Sequence, residues 1–285
     1  MVTLTLACAE YERTHALLSG AVRPDGLDLR VTTLPSAEIL ARMATGAEFD
    51  AGEFSLADHL RLFAERRSSY VAIPVFPHRA FRHSILWVRA SSDLHDPADL
   101  RGRRIGETSY TTTALLFLRG VLEDEYRVAP SDITWVRTGE ERLPLDPLGL
   151  AIEDVPGDLE MLLETGRVDA IASFSTPAGA RANPATARRL FADVGRVEAD
   201  YYRRTRIFPI MHVIAVRKRF YDAHPWIAKS LLDAFELAKR PGASHDDTHP
   251  YGVEPNRPTL EAACRYARAQ LGLDLPEDVA DLFAR

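Results

Sequence analysis

Short strand-like segments and helical segments alternate through the first part of the chain. Residues 2–7 and 27–31 alternate apolar with polar side chains, as strands with one buried face do. Residues 37–45 and 56–66 have the pattern of helices, and residues 71–73 form a further short strand. Such alternation is typical of an α/β protein built on a sheet with parallel strands, so we expect an α/β fold.

A parallel sheet also predicts where functional side chains lie. Ligands of such sheets bind beyond the carboxyl ends of the strands, so the residues that follow each strand are expected at one edge. Three polar clusters satisfy this condition, namely Glu10 to Thr14, Glu53 to Ser55 and His78 to His83. The sequence therefore predicts a ligand site at the edge where these clusters meet.

The composition limits the classes of protein that the chain can represent. Its 285 residues are 46% hydrophobic and 27% charged, which allows one large domain or two moderate domains with a sizeable core. The net charge of −6 provides no overall positive field, so nucleic acid is not an expected partner. The sequence has no run of about 18 apolar residues, so no membrane span is expected.

The amino terminus and the cysteines indicate a compartment. The segment after Met1 lacks the basic leader and the long apolar core of an export signal. Cys8 and Cys264 lie far apart in the sequence and show no metal-binding spacing, so both are expected to be reduced. We expect a cytoplasmic protein.

The run from His78 to His83 places two arginines and two histidines directly before an apolar strand-like segment. If the run is extended, Arg79 and His83 share one face, and His78 and Arg82 share the other. Each face then presents a guanidinium beside an imidazole, which suits a small ligand that carries a carboxylate. The alternative is a solvated basic loop.

A second candidate for anion binding precedes the strongest predicted helix, Ala114 to about Tyr126. Tyr110, Thr111 and Thr112 lie next to the unpaired backbone N–H groups and the positive dipole end of that helix. Hydroxyl and backbone donors together can bind a carboxylate. The alternative is ordinary capping of the helix by a serine or threonine hydroxyl.

One histidine, His212, lies inside the apolar strand predicted for residues 207–216. It is either a hydrogen-bonded core residue or an imidazole that reaches the ligand site. A metal site is a further alternative, with His78, His83, His212 and Glu53 as ligands. No typical ligand spacing supports a metal, and no nucleotide-binding or serine-hydrolase motif is present, so we expect no metal and no cofactor.

Four stretches spread over the chain carry a family pattern. They are Glu10 to Thr14, Pro74 to Ser84, Phe208 to His212 and Pro250 to Arg257. With these stretches the chain resembles the 4,5-dihydroxyphthalate decarboxylase family, from the first predicted strand to the last predicted helix. The stretch with Arg82 and His83 and the Phe-Pro-Ile-Met-His run are the most specific.

The resemblance implies an α/β fold similar to type II periplasmic binding proteins, with two lobes and a central cleft. It implies one lobe from residues 1–89 and 208–285 and an inserted lobe from residues 90–207. It also implies a cytoplasmic carboxy-lyase that needs no cofactor. Its partner would be a small aromatic carboxylate, and the sequence leaves a homo-oligomer open.

The predicted reaction is non-oxidative decarboxylation of a hydroxylated, phthalate-like aromatic acid, by protonation of a ring carbon and loss of carbon dioxide. This chemistry needs a proton donor, an acceptor for the phenol and cations for the carboxylates. The roles are assigned as follows: His212 or His83 as proton donor, Glu53 or Glu10 as phenol acceptor, Arg79 and Arg82 as carboxylate ligands, Arg13 as a further substrate contact, and Tyr110, Thr111 and Thr112 as the seat of the second carboxylate. Two alternatives are a non-catalytic binding protein for aromatic acids and a different carbon–carbon lyase or isomerase on the same scaffold.

Overall fold

The structure is a computed structural model that describes residues 1–46, 48–144, 151–239 and 249–284. The chain divides into two compact units. The first unit consists of Met1–Ala80, Ile210–Arg268 and Leu273–Arg285. The second consists of Phe81–Pro209 and Ala269–Gly272.

The described residues form strands and helices that alternate along most of the chain. The strands are β1 (Val2–Ala7), β2 (Leu27–Thr32), β3 (Ala51–Ser55), β4 (Tyr70–Arg79), β5 (Leu86–Arg89), β6 (Arg104–Glu107), β7 (Thr134–Arg137), β8 (Ile152–Asp154), β9 (Ala170–Ala172), β10 (Ala187–Arg189) and β11 (Ile210–Arg217). The helices are α1 (His15–Leu18), α2 (Ser36–Gly46), α3 (Leu56–Ala64), α4 (Thr113–Tyr126), α5 (Leu159–Glu164), α6 (Ala178–Ala182), α7 (Val194–Thr205), α8 (Lys218–Ala223), α9 (Trp226–Ala238) and α10 (Arg257–Leu271).

The sheet of the first unit has the strand order β2-β1-β3-β11-β4. The strands β1, β2 and β3 are parallel, whereas β11 is antiparallel to both β3 and β4. The predicted parallel strands are present in β1, β2 and β3, whereas the antiparallel direction of β11 was not predicted. The difference arises because β11 enters from a distant part of the chain and runs in the opposite direction.

The antiparallel β11 starts at the edge of this sheet where the strands that precede the predicted clusters end. Its first residues pair with the carboxyl ends of its neighbours, since His212 lies opposite Ser55 on β3 and opposite His78 on β4. The carboxyl end of β1 lies beside β3, where Ala7 pairs with Gly52. The end of β1, the ends of β3 and β4 and the start of β11 therefore share one edge.

Strand β4 is longer than the sequence predicted. It continues from Tyr70 to Arg79 through Pro74 and Pro77, although the sequence indicated an end near Ile73. A proline lacks the N–H that a central strand needs, but β4 is the last strand in the order of this sheet and tolerates proline as an edge strand. The extension places His78 on the strand opposite His212.

The sheet of the second unit has the strand order β10-β5-β9-β6-β7-β8. Strand β5 pairs with β9 and β10, so it belongs to this sheet. Residues 81–89, which the sequence interpretation assigned to the first lobe, therefore lie in the second unit. Ala269–Gly272, which contains the last residues of α10, also belongs to the second unit.

Helix α7 occupies Val194–Thr205, a segment for which the sequence analysis predicted no helix or strand. Asp193 caps its amino terminus by accepting a hydrogen bond from the Arg196 backbone. Only Tyr201 is fully buried along this helix, so the apolar periodicity that reveals a helix is weak.

Candidate active site

Glu53 and His212 lie on neighbouring strands at the shared edge of the first unit's sheet. His212 pairs with Ser55, and Glu53 precedes Ser55 by two residues on β3, so all three side chains point to the same face. Glu53 is fully buried and His212 is 8% exposed. Two titratable side chains thus meet at the predicted site.

The Glu53 carboxylate accepts hydrogen bonds from four donors. Its Oε2 atom accepts from Nδ1 of His212 at 2.8 Å and from the Tyr11 hydroxyl at 3.0 Å. Its Oε1 atom accepts from the backbone N–H of Ala9 at 2.5 Å and from the Cys8 thiol at 3.3 Å. The carboxylate is therefore held in place from both of its oxygens.

These donors determine the charge of Glu53. Burial alone would raise the pKa of its carboxyl group, but the hydrogen bonds from His212, Ala9 and Cys8 outweigh burial and lower it. Burial, followed by the adjacent Glu53 charge, raises the pKa of the Cys8 thiol well above its usual value, so the thiol stays a donor. Because Glu53 is ionised, Nδ1 of His212 carries the proton of their hydrogen bond.

His78 adds a second imidazole beside His212. Their ring centroids lie 4.8 Å apart, and the His78 ring stacks on Tyr11 at 5.7 Å. The pairing of β4 with β11 is irregular on both sides of His212. Such irregularities redirect side chains and are common beside active sites.

The other residues predicted for this site contact the protein itself. Arg13 donates from Nε and Nη2 to the Pro77 carbonyl, at 2.9 and 2.5 Å. Arg79 is buried and donates from Nη2 to the Pro250 carbonyl and to the Asn256 side chain. These contacts give both arginines a role in holding the backbone around the site.

The surroundings of Glu10 differ from those of Glu53. It is exposed and pairs with the exposed His15 ring at 3.0 Å. A solvated carboxylate of this kind differs from the fixed, buried anion that Glu53 provides.

Arg82 and His83 belong to the second unit, whereas Glu53 belongs to the first. The predicted extended run ends at Arg79, and His83 begins a short 3-10 turn. The sequence analysis did not predict that the strand ends at Arg79. The alternation of side chains between the two faces of an extended strand therefore does not extend to Arg82. The Arg82 guanidinium lies over the Phe174 ring at 5.7 Å, and burial lowers its pKa to about 10.

His83 is buried to 1% exposure against Phe191 and Tyr201. Neither of its ring nitrogens has a hydrogen-bond partner among the described residues, and Glu198 Oε1 lies 3.9 Å from Nδ1. Burial lowers the pKa of His83 to about 4, so the ring is neutral near pH 7.

The predicted anion seat at the start of α4 holds a carboxylate of the chain itself. Glu141 accepts from the Ser109 hydroxyl at 2.7 Å, from the Tyr110 backbone at 2.6 Å and from the Thr111 backbone at 3.1 Å. The Thr111 hydroxyl and Arg137 also donate to it. Thr112 is the N-cap of α4, as the alternative interpretation expected.

A buried glutamate and a buried arginine that the sequence analysis missed lie side by side in the second unit. Glu107 and Arg119 are both buried, with Oε2 and Nη1 3.7 Å apart. Arg119 donates to Gln270 at 2.8 Å and to the Tyr110 carbonyl at 2.7 Å, and its guanidinium lies 3.6 Å from the centre of the Tyr110 ring. This cluster packs beneath the segment that binds Glu141.

The metal alternative has no ligand cluster in the part of the chain that the structure describes, where no group of three or more His, Cys, Asp or Glu side chains is arranged to hold an ion. His83 lies in the second unit, whereas His78, His212 and Glu53 lie in the first. The chemistry that the Glu53–His212 pair offers is proton transfer, with the carboxylate fixing the imidazole.

Two relatives identify the family. A 4,5-dihydroxyphthalate decarboxylase from Comamonas testosteroni is 36% identical over 281 residues, which cover 95% of this chain and 84% of the relative. A protein of the same name from Pseudomonas putida is 32% identical over 214 residues, covering 71% of this chain and 82% of the relative. The chain belongs to the 4,5-dihydroxyphthalate decarboxylase family. Membership of this family confirms the predicted resemblance and the prediction that the chain is an enzyme.

Solved structures confirm the predicted fold class. A sulfonate-binding SsuA protein from Methylobacillus flagellatus KT is 14% identical with a TM-score of 0.58, and covers 99% of this chain and 91% of its own. The periplasmic aliphatic sulphonate binding protein SsuA from Escherichia coli is 15% identical with a TM-score of 0.52, covering 96% and 76%. These likenesses show the type II periplasmic-binding-protein-like α/β fold alone. No profile of a protein family matches the chain.

The structure adds residues to the site that the sequence analysis did not assign. Tyr11 and Cys8 follow β1 at the predicted edge, so their position after a predicted strand could have identified them as site residues. Glu141 had no such signal, because it lies thirty residues after Thr111 and meets it only in the folded unit.

Among the described residues, no helix is long and apolar enough to cross a lipid bilayer.

Proposed function

We propose that this protein catalyses the non-oxidative decarboxylation of a hydroxylated aromatic acid related to 4,5-dihydroxyphthalate. The names of the two relatives support the substrate class, since both are 4,5-dihydroxyphthalate decarboxylases. The observation that carries the mechanism is the 2.8 Å hydrogen bond between Glu53 and His212.

The reaction exchanges a carboxylate for a proton on one ring carbon. A ring hydroxyl donates electrons towards this carbon, which accepts a proton. The bond to the carboxylate then breaks, its electron pair restores the aromatic ring, and carbon dioxide leaves. One proton is consumed per turnover, so the protein must supply a proton donor at the ring carbon.

His212 is the proposed proton donor. With Nδ1–H donating to the ionised Glu53, the other ring nitrogen, Nε2, takes up a proton from solvent to form the imidazolium and then delivers that proton to the ring carbon. His212 is 8% exposed and fixed on a strand. His83, the other candidate, is neutral and 1% exposed, which suits a proton donor less well.

Glu53 is the proposed orienting group rather than the acceptor for the phenol. Four donors already surround its carboxylate, and its side chain is fully buried. A carboxylate in this state holds the imidazole in one orientation and stabilises its charged form. The acceptor for the phenol is therefore not assigned to Glu53.

Arginine remains the proposed ligand for the substrate carboxylate that does not react, because its guanidinium matches carboxylate geometry. Arg13 and Arg79 lie at the same sheet edge as His212. A cation that bound the departing carboxylate tightly would oppose its loss as neutral carbon dioxide. The start of α4 is not assigned a substrate group, because Glu141 fills it.

The first test is decarboxylation of 4,5-dihydroxyphthalate by the purified protein, followed by release of carbon dioxide. Phthalate without hydroxyl groups is the matched substrate, and we expect no turnover because its ring lacks electron donation. We expect His212→Gln to lower kcat at least about 100-fold, as loss of a general acid does. His224→Gln, a histidine of α8's carboxyl end in the same unit, is the control and should keep full activity.

Binding of hydroxylated benzoates without turnover would contradict the enzyme proposal and favour a binding protein. An unchanged kcat in His212→Gln would remove the proton-donor role from His212 while leaving the activity in place.

A further inference from the structure

Tyr11 links the two side chains that flank His212. Its hydroxyl donates to Glu53 Oε2 at 3.0 Å, and its ring stacks on His78 with an angle of 16° between the planes. Glu53 and His78 each contact the His212 ring. One tyrosine thus touches both neighbours of the proposed proton donor.

The Tyr11 side chain is itself fixed by further contacts. The Arg13 guanidinium lies 4.9 Å from the centre of its ring. Its hydroxyl also contacts Ser36 Oγ at 3.1 Å, at the start of α2. Because the Tyr11 hydroxyl donates to Glu53, Ser36 serves as the donor to Tyr11. Both the ring and the hydroxyl therefore have a defined position.

The Tyr11 hydroxyl stays protonated over the pH range in which an enzyme of this kind works. Burial, followed by the negative charge of Glu53, raises its pKa well above the usual value of tyrosine. The hydroxyl therefore remains a hydrogen-bond donor to Glu53 and does not compete with His212 for a proton.

We propose that Tyr11 is a positioning residue, which holds the Glu53 carboxylate in the orientation that fixes the Nδ1–H of His212. The inference rests on the proposed function of the Glu53–His212 pair. Without the hydroxyl, Oε2 keeps His212 as its donor but loses the second donor that restricts its rotation. The proton of the neutral ring then lies partly on Nε2, so in fewer molecules is Nε2 the free nitrogen that takes up a proton and passes it to the ring carbon.

The test compares Tyr11→Phe with wild type and with Tyr70→Phe. Tyr70 is a matched control, because it is a buried tyrosine of the same unit whose hydroxyl donates to the Phe49 carbonyl at 2.9 Å. Nitrogen NMR of ¹⁵N-histidine-labelled protein without substrate reports the tautomer of His212, assigned by its absence in His212→Gln. Steady-state kinetics with 4,5-dihydroxyphthalate report kcat and KM.

We expect one Nδ1–H tautomer in wild type and in Tyr70→Phe, and a mixture of tautomers in Tyr11→Phe. We expect kcat of Tyr11→Phe to fall about 10-fold, with KM within twofold of wild type. Loss of a residue that orients a functional side chain typically lowers activity about 10- to 100-fold. A single tautomer together with an unchanged kcat would overturn the inference, even if the variant melts at a lower temperature. Mixed tautomers with unchanged kcat would uphold the positioning by Tyr11 and reject His212 as the proton donor.

Discussion

Two buried glutamates have opposite ionisation because their surroundings differ. Glu53 accepts four hydrogen bonds, and these lower its pKa despite burial. Neither oxygen of Glu107 has a hydrogen-bond partner among the described residues, and Arg119 Nη1 lies 3.7 Å from Oε2. Burial therefore raises the pKa of Glu107 to about 8, although the Arg119 charge opposes the shift.

The raised pKa of Glu107 predicts that the protein loses stability as the pH rises. The unfolded chain releases this proton near pH 4.3, whereas the folded protein keeps it until about pH 8. Between these values the free energy of unfolding falls with pH, by at most about 1.4 kcal/mol per pH unit. Urea unfolding of wild type and Glu107→Gln at pH 5, 6.5 and 8 measures the effect.

We expect the stability of wild type relative to Glu107→Gln to decrease steadily from pH 5 to pH 8. Glu164→Gln, which changes an exposed glutamate of the same unit, should leave the pH dependence of wild type unaltered. A pH-independent difference between wild type and Glu107→Gln would show that Glu107 is already ionised in the folded protein at pH 5.

At the scale of elements, Glu141 holds the segment that leads into α4. The first turn of α4 contains no acidic residue, and Thr112 caps a single backbone N–H, that of Leu115. Glu141 is 6% exposed and brings a negative charge to the positive end of the helix dipole. Gly139 permits this approach, because a Cβ there would lie 2.6 Å from the Thr108 carbonyl.

Removing this carboxylate should destabilise the protein. In Glu141→Ala the backbone N–H groups of Tyr110 and Thr111 lose their acceptor, which should cost roughly 2 kcal/mol. Glu140→Ala alters the exposed neighbour and is the matched control. Chemical unfolding of both variants measures the difference, and equal stabilities would contradict the role of Glu141 in holding this segment.

The same variant tests whether substrate uses this helix end. We expect the KM of Glu141→Ala for 4,5-dihydroxyphthalate to stay within twofold of wild type. A clearly lower KM would instead mean that Glu141 competes with a substrate carboxylate. The substrate would then bind at Tyr110, Thr111 and Thr112, as the sequence analysis predicted.

The elements also show what local sequence can predict. Strand β1 follows its alternating pattern, with Leu4 and Leu6 fully buried between threonines. The length of β4 depends on its place at the sheet edge, which no local pattern of Pro74 and Pro77 can reveal. Helix α7 was missed because its faces are mostly exposed, and its clearest signal was the capping residue Asp193.

At the scale of the whole molecule, the α/β fold and the family were predictable from the sequence, but the partners within the site were only partly so. The carboxyl end of a predicted strand made Glu53 a candidate, because strand ends form the ligand edge. His212 was a candidate as the one histidine inside an apolar strand. The hydrogen bond between them depends on the antiparallel register of β11 with β3, and this register joins residues 159 positions apart. The hydrogen bonds of Glu141 with Tyr110 and Thr111 likewise join residues that are distant in the sequence.

The central claim is that Glu53 and His212 act as one catalytic unit. A double-mutant cycle of kcat/KM with 4,5-dihydroxyphthalate tests it most directly, using Glu53→Gln, His212→Gln and the double variant. Residues that act as a unit are not additive, so we expect the double variant to be about as slow as His212→Gln alone. Losses in the two single variants that multiply in the double variant would show that the two residues act independently, and would contradict the claim.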